Sequence, residues 1–276
     1  MNLPKSLANR LRLPGAPESV GQMNSLERFN FHKSVLERKP AFRRVIVDIQ
    51  QRIWNVIEFE TKDLAHLPSV EIGSGVIPLR DLGGNVISTD IEAAEGLQCV
   101  ASAMEMPFAS RGLRAVVAQN VLHHIPDPDL AMGELVRVLA PGGVAIFVEP
   151  YFGRFASMIY PSLFASEGFD LKADPLQQTM NSEGNLVPNQ GMSFMFFEAG
   201  KRKHFENAPD LFIVDTFPLK SGLRYLTTGA LNFRTLAPIG VLNWIARLEN
   251  QRLLSRVFEL FAIHWVIVVK KVDLNG

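Results

Sequence analysis

Apolar residues recur along this chain with two distinct periods. From Asn24 to Glu60 they fall at helical spacing, at Leu26, Phe29, Phe31, Val35 and Leu36, then at Val45, Ile49, Ile53, Val56 and Ile57. Pro40 lacks the N–H that an inner helical turn needs, so the pattern predicts two helices meeting there. Beyond Leu67 the apolar runs shorten and become β-branched, giving strands at 70–72, 86–90, 97–101, 115–119 and 144–148. Asp127 caps an intervening helix whose positions Leu130, Leu135, Val138 and Leu139 face the sheet, and Pro141-Gly142-Gly143 turns the chain into the fifth strand. Later runs add a sixth strand at 211–215 and a closing one at 258–269.

Strands alternating with helical segments at this spacing predict an α/β fold, a Rossmann-like, doubly wound and mostly parallel seven-stranded sheet. The expected organisation is an N-terminal arm and helices over residues 1–66, with the arm proper at 1–23, a ligand-binding core over 67–150, an aromatic-rich cap insertion over 151–209, and a completion of the sheet over 210–276. Two packing helices before Leu67 would cover an edge of the core or act as a lid.

The chain has 276 residues, 28 basic and 28 acidic side chains, and 47% hydrophobic residues. Zero net charge gives no basic footprint for nucleic acid. The single cysteine, Cys99, excludes an internal disulfide and suits a reducing, cytoplasmic setting; in its apolar run it reads as a core thiol. No segment reaches the uncharged length of a membrane span, and the N-terminal residues lack the apolar core of a secretory signal. The segment 236–254 is apolar at first and carries Arg247 and Arg252 later, with Arg256 just beyond. It reads as a core or dimer helix or, alternatively, as a peripheral membrane contact.

Candidate chemistry concentrates at VEIGSGVIPLRDLGGNVISTD, residues 70–90. An apolar strand carrying Glu71 enters Gly73-Ser74-Gly75, and the next strand ends on Asp90. Glycines there let backbone N–H groups approach a ligand, and an acid ending the second strand can accept both hydroxyls of a ribose. The same residues also suit a plain strand-to-helix turn.

The succession EIGSG, STD, AMEMPF, VVAQNVLHHIPDP and ELVRVLAPGGVAIFVEP resembles the class I S-adenosylmethionine-dependent methyltransferases. Pro78, standing where a third glycine of GxGxxG would be, speaks against a dinucleotide dehydrogenase. The resemblance implies S-adenosyl-L-methionine as cofactor and no metal. Gly73, Ser74 and Gly75 would border its methionine and ribose parts, and Glu71 would steady that loop or, through water, the ammonium. Asp90 would bind the ribose diol, Ile91 would cover the adenine, and Ser102, Ala103 and Met104 would meet its edge. Gln119 or Asn120 would take the ammonium end. Family members commonly have Asp at the position of Ser102 and Gly at that of Ile77, departures that would weaken cofactor affinity without removing the site, since the backbone contacts and Asp90 remain. His123 is the candidate general base, with Glu149 a second candidate base or acceptor-binding group. His124, Tyr151, Asn189, Gln190 and Glu198 are candidates for acceptor contacts. The extended tail, EPY to TTGAL, is similar to a bacterial methyltransferase subgroup associated with glycan and surface-polysaccharide assembly. The implied activity is methyl transfer, with oxygen preferred, to a small-molecule, sugar or lipid-linked acceptor. The alternatives are a methyltransferase-like binding protein without turnover and an enzyme of polyamine synthesis on the same fold.

Overall fold

The structure, a computed structural model, describes residues 10–17, 25–163, 168–176 and 186–273. The arm expected over residues 1–23 therefore lies largely outside the described residues, as do Phe164 and much of the polar stretch 174–185. The chain forms two compact units, one of residues 50–150, 170–217 and 265–276, the other of residues 1–49, 151–169 and 218–264.

One sheet organises the first of these units. Its strands are β1 (Ser69–Ile72), β2 (Val86–Asp90), β3 (Cys99–Val100), β4 (Leu113–Gln119), β5 (Leu139–Pro150), β6 (His204–Phe205), β7 (Ala208–Pro218) and β8 (His264–Lys271), in the order β3-β2-β1-β4-β5-β8-β7-β6. The pairs β1–β2, β2–β3, β1–β4 and β4–β5 are parallel. The doubly wound, mostly parallel sheet is thus present, and the two-residue β6, antiparallel to β7, adds an eighth strand to the seven expected. Strands covered on both faces read as unbroken apolar runs, and β4 is buried from Leu113 to Ala118. The chain winds outward from β1 to β3, then returns to lay β4 on the other side of β1. That reversal opens a crevice at the carboxyl ends of β1 and β4.

Four expectations need correction. Pro141-Gly142-Gly143 does not precede β5 but lies inside it as a bulge, with pairing stepping from Leu113↔Leu139 to Ala115↔Val144. A Cβ at Gly143 would stand 2.9 Å from the Ala140 carbonyl oxygen and 3.0 Å from that of Arg114, so a side chain there would force the backbone to shift. The run 258–269 is not one strand, because α8 (Ser255–Glu259) takes its first part and β8 starts at His264. Leu130 is exposed: with Asp127 accepting its N–H at 2.9 Å, it sits on the outer face of α3 (Pro128–Val138). Ala131, Met132, Leu135 and Val138 form the buried stripe. Leu26 likewise faces solvent on α1 (Ser25–Arg38).

Pro40 separates α1 from α2 (Pro40–Glu60), as its missing N–H requires. Val45, Ile49, Ile53 and Ile57 are the buried stripe of α2. Its second half backs the β1–β2 link: Gln50 donates to the Ile77 carbonyl at 2.5 Å, and a side chain at Gly84 would collide with the Trp54 ring at 2.4 Å.

The other unit is helical, with α4 (Arg154–Leu163), α6 (Gly222–Thr227), α7 (Ile239–Glu249) and α8; the short α5 (Met192–Phe196) belongs to the sheet unit. Two buried cations brace this helical unit. The Lys39 ammonium donates to the carbonyls of Thr228 at 2.9 Å and Ala230 at 2.7 Å, and to that of Phe233. Burial, assisted by the neighbouring Arg38 charge, lowers its pKa to about 8. Arg224 reaches Glu249 at 3.0 Å and Asp48 at 2.5 Å. Gly222 packs so closely that a Cβ there would lie 2.0 Å from the Phe261 carbonyl oxygen.

Candidate functional site

The crevice at β1 and β4 is built by two glycines in the left-handed region and by two buried glutamates. Gly73 (φ +67°) and Gly75 (φ +55°) bend the chain sharply after β1. A Cβ on Gly73 would strike Val121 at 2.5 Å, whereas one on Gly75 would point into open space, a backbone face left bare at the crevice. Ser74 latches the turn to the end of β2, its N–H donating to the Thr89 carbonyl at 2.9 Å and its hydroxyl accepting the Thr89 N–H at 3.0 Å. The link to β2 is not a full helical turn of α type but a short 3-10 helix, Leu79–Leu82. Pro78 precedes it and Gly83-Gly84 ends it, leaving no room for more.

Glu71 is turned inward. One oxygen accepts the Leu79 N–H at 2.7 Å, the other the Gln119 side-chain amide at 3.0 Å. Burial dominates its chemistry and raises its pKa to about 7, with these hydrogen bonds opposing the shift. Both Glu71 oxygens are thus engaged by groups of the surrounding loops.

Asp90 ends β2 half-buried, with one oxygen accepting the Ile91 N–H at 2.8 Å, and the Ile91 side chain stands 67% exposed beside it. Ser102, Ala103 and Met104 are half-buried, and the Ser102 hydroxyl accepts the Met104 N–H at 3.2 Å. Ile77 is buried in the protein. Cys99 is partly exposed, so the inert core thiol expected there is not fully enclosed.

After β4, the loop 119–124 joins these parts to β5. Asn120 holds φ at +53°, a left-handed conformation that Asn tolerates better than most residues. Fully buried Glu149 grips this loop: Oε1 accepts the N–H groups of Val121 at 3.0 Å and Leu122 at 2.8 Å, and Oε2 lies 2.8 Å from His123 Nδ1. Where the Nδ1–H donates to the Glu149 carboxylate, the ring's lone pair lies on Nε2. Glu149 is thus the hydrogen-bond partner of His123. His124 is exposed, its ring 4.3 Å from that of His123.

Of the acceptor candidates, Gln190 is buried just before α5, which packs against the 122–124 turn and β5. The Asn189 side chain closes a turn, accepting from Asp170 N and Gly191 N at 3.0 Å each and donating to the Asp170 carbonyl at 2.7 Å. Glu198 is exposed and pairs with Arg202 at 3.3 Å, and Tyr151 belongs to the helical unit. Two features escaped the sequence reading. Ser193 on α5 is fully buried, its hydroxyl without a hydrogen-bond partner among the described residues. A serine in the aromatic run MSFMFF gives no sign of that. Glu134 and Arg137, an i,i+3 pair on α3, clamp the loop after Met104. Arg137 donates to the carbonyls of Met106 and Phe108 at 2.7 Å, and Glu134 accepts the Met106 N–H at 2.7 Å. Arg137 holds the Glu134 carboxyl below its usual range.

A Rossmann-type sheet, a bare glycine turn at its switch point and an acid ending β2 thus stand together in one unit. Residues 71–147 match the family described as a methyltransferase domain. The chain is 27% identical over 168 residues to a ubiquinone/menaquinone biosynthesis C-methyltransferase of Xanthomonas oryzae, a match over 53% of this chain and 65% of that protein. It is 34% identical over 112 residues to the uncharacterized protein Rv1405c of Mycobacterium tuberculosis, over 33% and 41% of the two chains. A geranyl diphosphate C-methyltransferase from Streptomyces coelicolor, solved with S-adenosyl-L-homocysteine, aligns over 84% of each chain at 12% identity and a TM-score of 0.43. Over residues 71–147 the chain is thus similar to methyltransferase domains, and it spans 65% of the length of the Xanthomonas relative.

Proposed function

We propose that this chain transfers a methyl group from S-adenosylmethionine to an oxygen of a small-molecule, sugar or lipid-linked acceptor. The residues present fit that cofactor. The bare backbone at Gly75 would leave room for its methionine and ribose parts, Asp90 at the end of β2 would accept the ribose hydroxyls, and Ile91 would offer an apolar side chain to the adenine. Residues 102–104 would border the ring, and the 119–120 turn would take the amino-acid end. When bound, the cofactor supplies a methyl already activated on a sulfonium. What remains for the protein is to align the acceptor, exclude water and remove a proton.

The observation that carries this reading is the His123–Glu149 hydrogen bond of 2.8 Å on a loop that also touches the glycine turn. A hydroxyl acceptor must lose its proton, and a histidine oriented through Nδ1 can accept it on Nε2. Glu149 positions the ring, and its two backbone bonds keep the loop in register with β5.

Calorimetric titration with S-adenosylmethionine and S-adenosylhomocysteine, followed by an acceptor screen, tests the proposal. Asp90→Ala is expected to weaken cofactor binding by about 1.5–3 kcal/mol, roughly ten- to a hundredfold. His123→Ala is expected to lower turnover about 10²–10⁴-fold with S-adenosylhomocysteine affinity unchanged. Absence of cofactor binding at millimolar concentration would overturn the reading. Binding without turnover on any acceptor would instead favour a methyltransferase-like binding protein.

A further inference from the structure

The helical unit carries a surface that the methyl-transfer reading leaves unused. Within it, α7 and α8 both pack on α6, and the turn 252–254 packs on α8. Between Leu236 and Leu260 these segments expose large apolar side chains: Trp244 at 60%, Leu253 at 95% and Leu260 at 64%, along with Ile239, Val241 and Val257. On α7, Leu242, Ile245 and Glu249 are buried, which leaves Trp244 and Arg247 on the opposite, outward face.

The charges of this stretch are sorted by sign. Arg247, Arg252 and Arg256 are all exposed, and none enters an ion pair or a side-chain hydrogen bond among the described residues. Both acids of the stretch are otherwise engaged: Glu249 is 2% exposed and bound to Arg224, and Glu259 accepts from Ser255 at 2.9 Å and faces Lys220. The surface therefore presents uncompensated guanidinium groups among tryptophan and leucine side chains. A second copy offering the same face would bring like charges together. Nucleic acid would meet the charges but leave the leucines exposed. A lipid interface with anionic headgroups satisfies both, with arginines at the phosphates, tryptophan at headgroup depth and leucines in the acyl boundary.

We propose that the 236–260 surface docks this protein peripherally on anionic membranes. No described helix is long and apolar enough to cross a membrane, so the attachment is a surface one. The proposal does not rest on methyl transfer, because it is tested without cofactor. The full chain is sedimented with vesicles of phosphatidylcholine alone and of phosphatidylcholine with phosphatidylglycerol, while Trp244 emission is followed by difference from a Trp244→Phe variant.

Binding is expected to the anionic vesicles only, with a blue shift of the Trp244 component and release at high salt. Arg247→Gln, Arg252→Gln and Arg256→Gln combined should weaken it roughly a hundredfold, at about fivefold per arginine. Leu253→Ser with Leu260→Ser, both exposed and so tolerated by the fold, should abolish the blue shift. Equal binding by wild type and these variants, or no binding at millimolar anionic lipid, would overturn the proposal. So would self-association that the leucine variant abolishes while vesicles go unbound, since the face would then be covered by a second copy.

Discussion

Gly73 and Glu71 each carry a single-residue consequence that can be measured. Gly73 has both a positive φ and Val121 at 2.5 Å from where a Cβ would stand, so Gly73→Ala acts twice, through backbone strain and through collision. The expected result is a loss of cofactor affinity of at least tenfold and a lower urea midpoint. Adding Val121→Ala should recover the collision component but not the strain, which a double-mutant cycle would separate. Glu71 gives a pH dependence. Its folded pKa of about 7 lies above the ordinary 4.5, so the folded chain holds this proton more tightly than the unfolded chain does. Its contribution to stability is therefore full below about pH 4.5 and is lost as pH rises through 7, by on the order of 3 kcal/mol. Urea denaturation at pH 5 and pH 8 should show this loss in the wild type, and Glu71→Gln should flatten the slope between them.

At the scale of elements, α3 does more than cover the sheet. Through Glu134 and Arg137 it fixes the loop that follows Ser102–Met104, so a change on the helix reaches the adenine side of the proposed site. Arg137→Met is expected to leave α3 folded while removing two carbonyl contacts to Met106 and Phe108. The cost should be about 1–3 kcal/mol in stability, with weaker cofactor binding by calorimetry and faster amide exchange over 102–108. The strands and the glycine turn were legible in the sequence because buried parallel strands write themselves as apolar runs and because turns of positive φ demand glycine. The His123–Glu149 pair was legible only as two separate candidates, since the bond between them spans strands and no local pattern encodes it. The bulge at Pro141-Gly142-Gly143 and the helix at 255–259 were misread for a related reason. Proline with two glycines signals a turn equally well at a strand's start or within it, and the apolar run around Phe258 does not distinguish one buried helical face from a strand. The clamp by Arg137 and the enclosure of Ser193 are tertiary facts with no local signature.

At the scale of the whole molecule, the sheet unit holds the proposed cofactor site and the helical unit holds the arginine-bearing apolar surface, so chemistry and attachment are assigned to different sets of residues. Ligand binding to the folded state should raise the thermal midpoint by linkage. S-adenosylhomocysteine at a hundred times its Kd contributes about 2.7 kcal/mol, which for a chain of this size corresponds to roughly 5–10 °C in a thermal scan. Asp90→Ala should remove most of that shift at the same ligand concentration, and an equal shift in the variant would move the site elsewhere.

The brevity of the β1–β2 link has a kinetic meaning. Parallel strands need a crossover of a dozen or more residues, usually with an α-helix; here the thirteen residues 73–85 sit at that lower limit and hold only one 3-10 turn. The loop closed by pairing Ser69 with Val86 is correspondingly small, and the chain entropy lost in forming it is low. The β1–β2 pair should thus be among the earliest parallel contacts made as the chain folds, so the residues that shape the crevice are also those that nucleate the sheet.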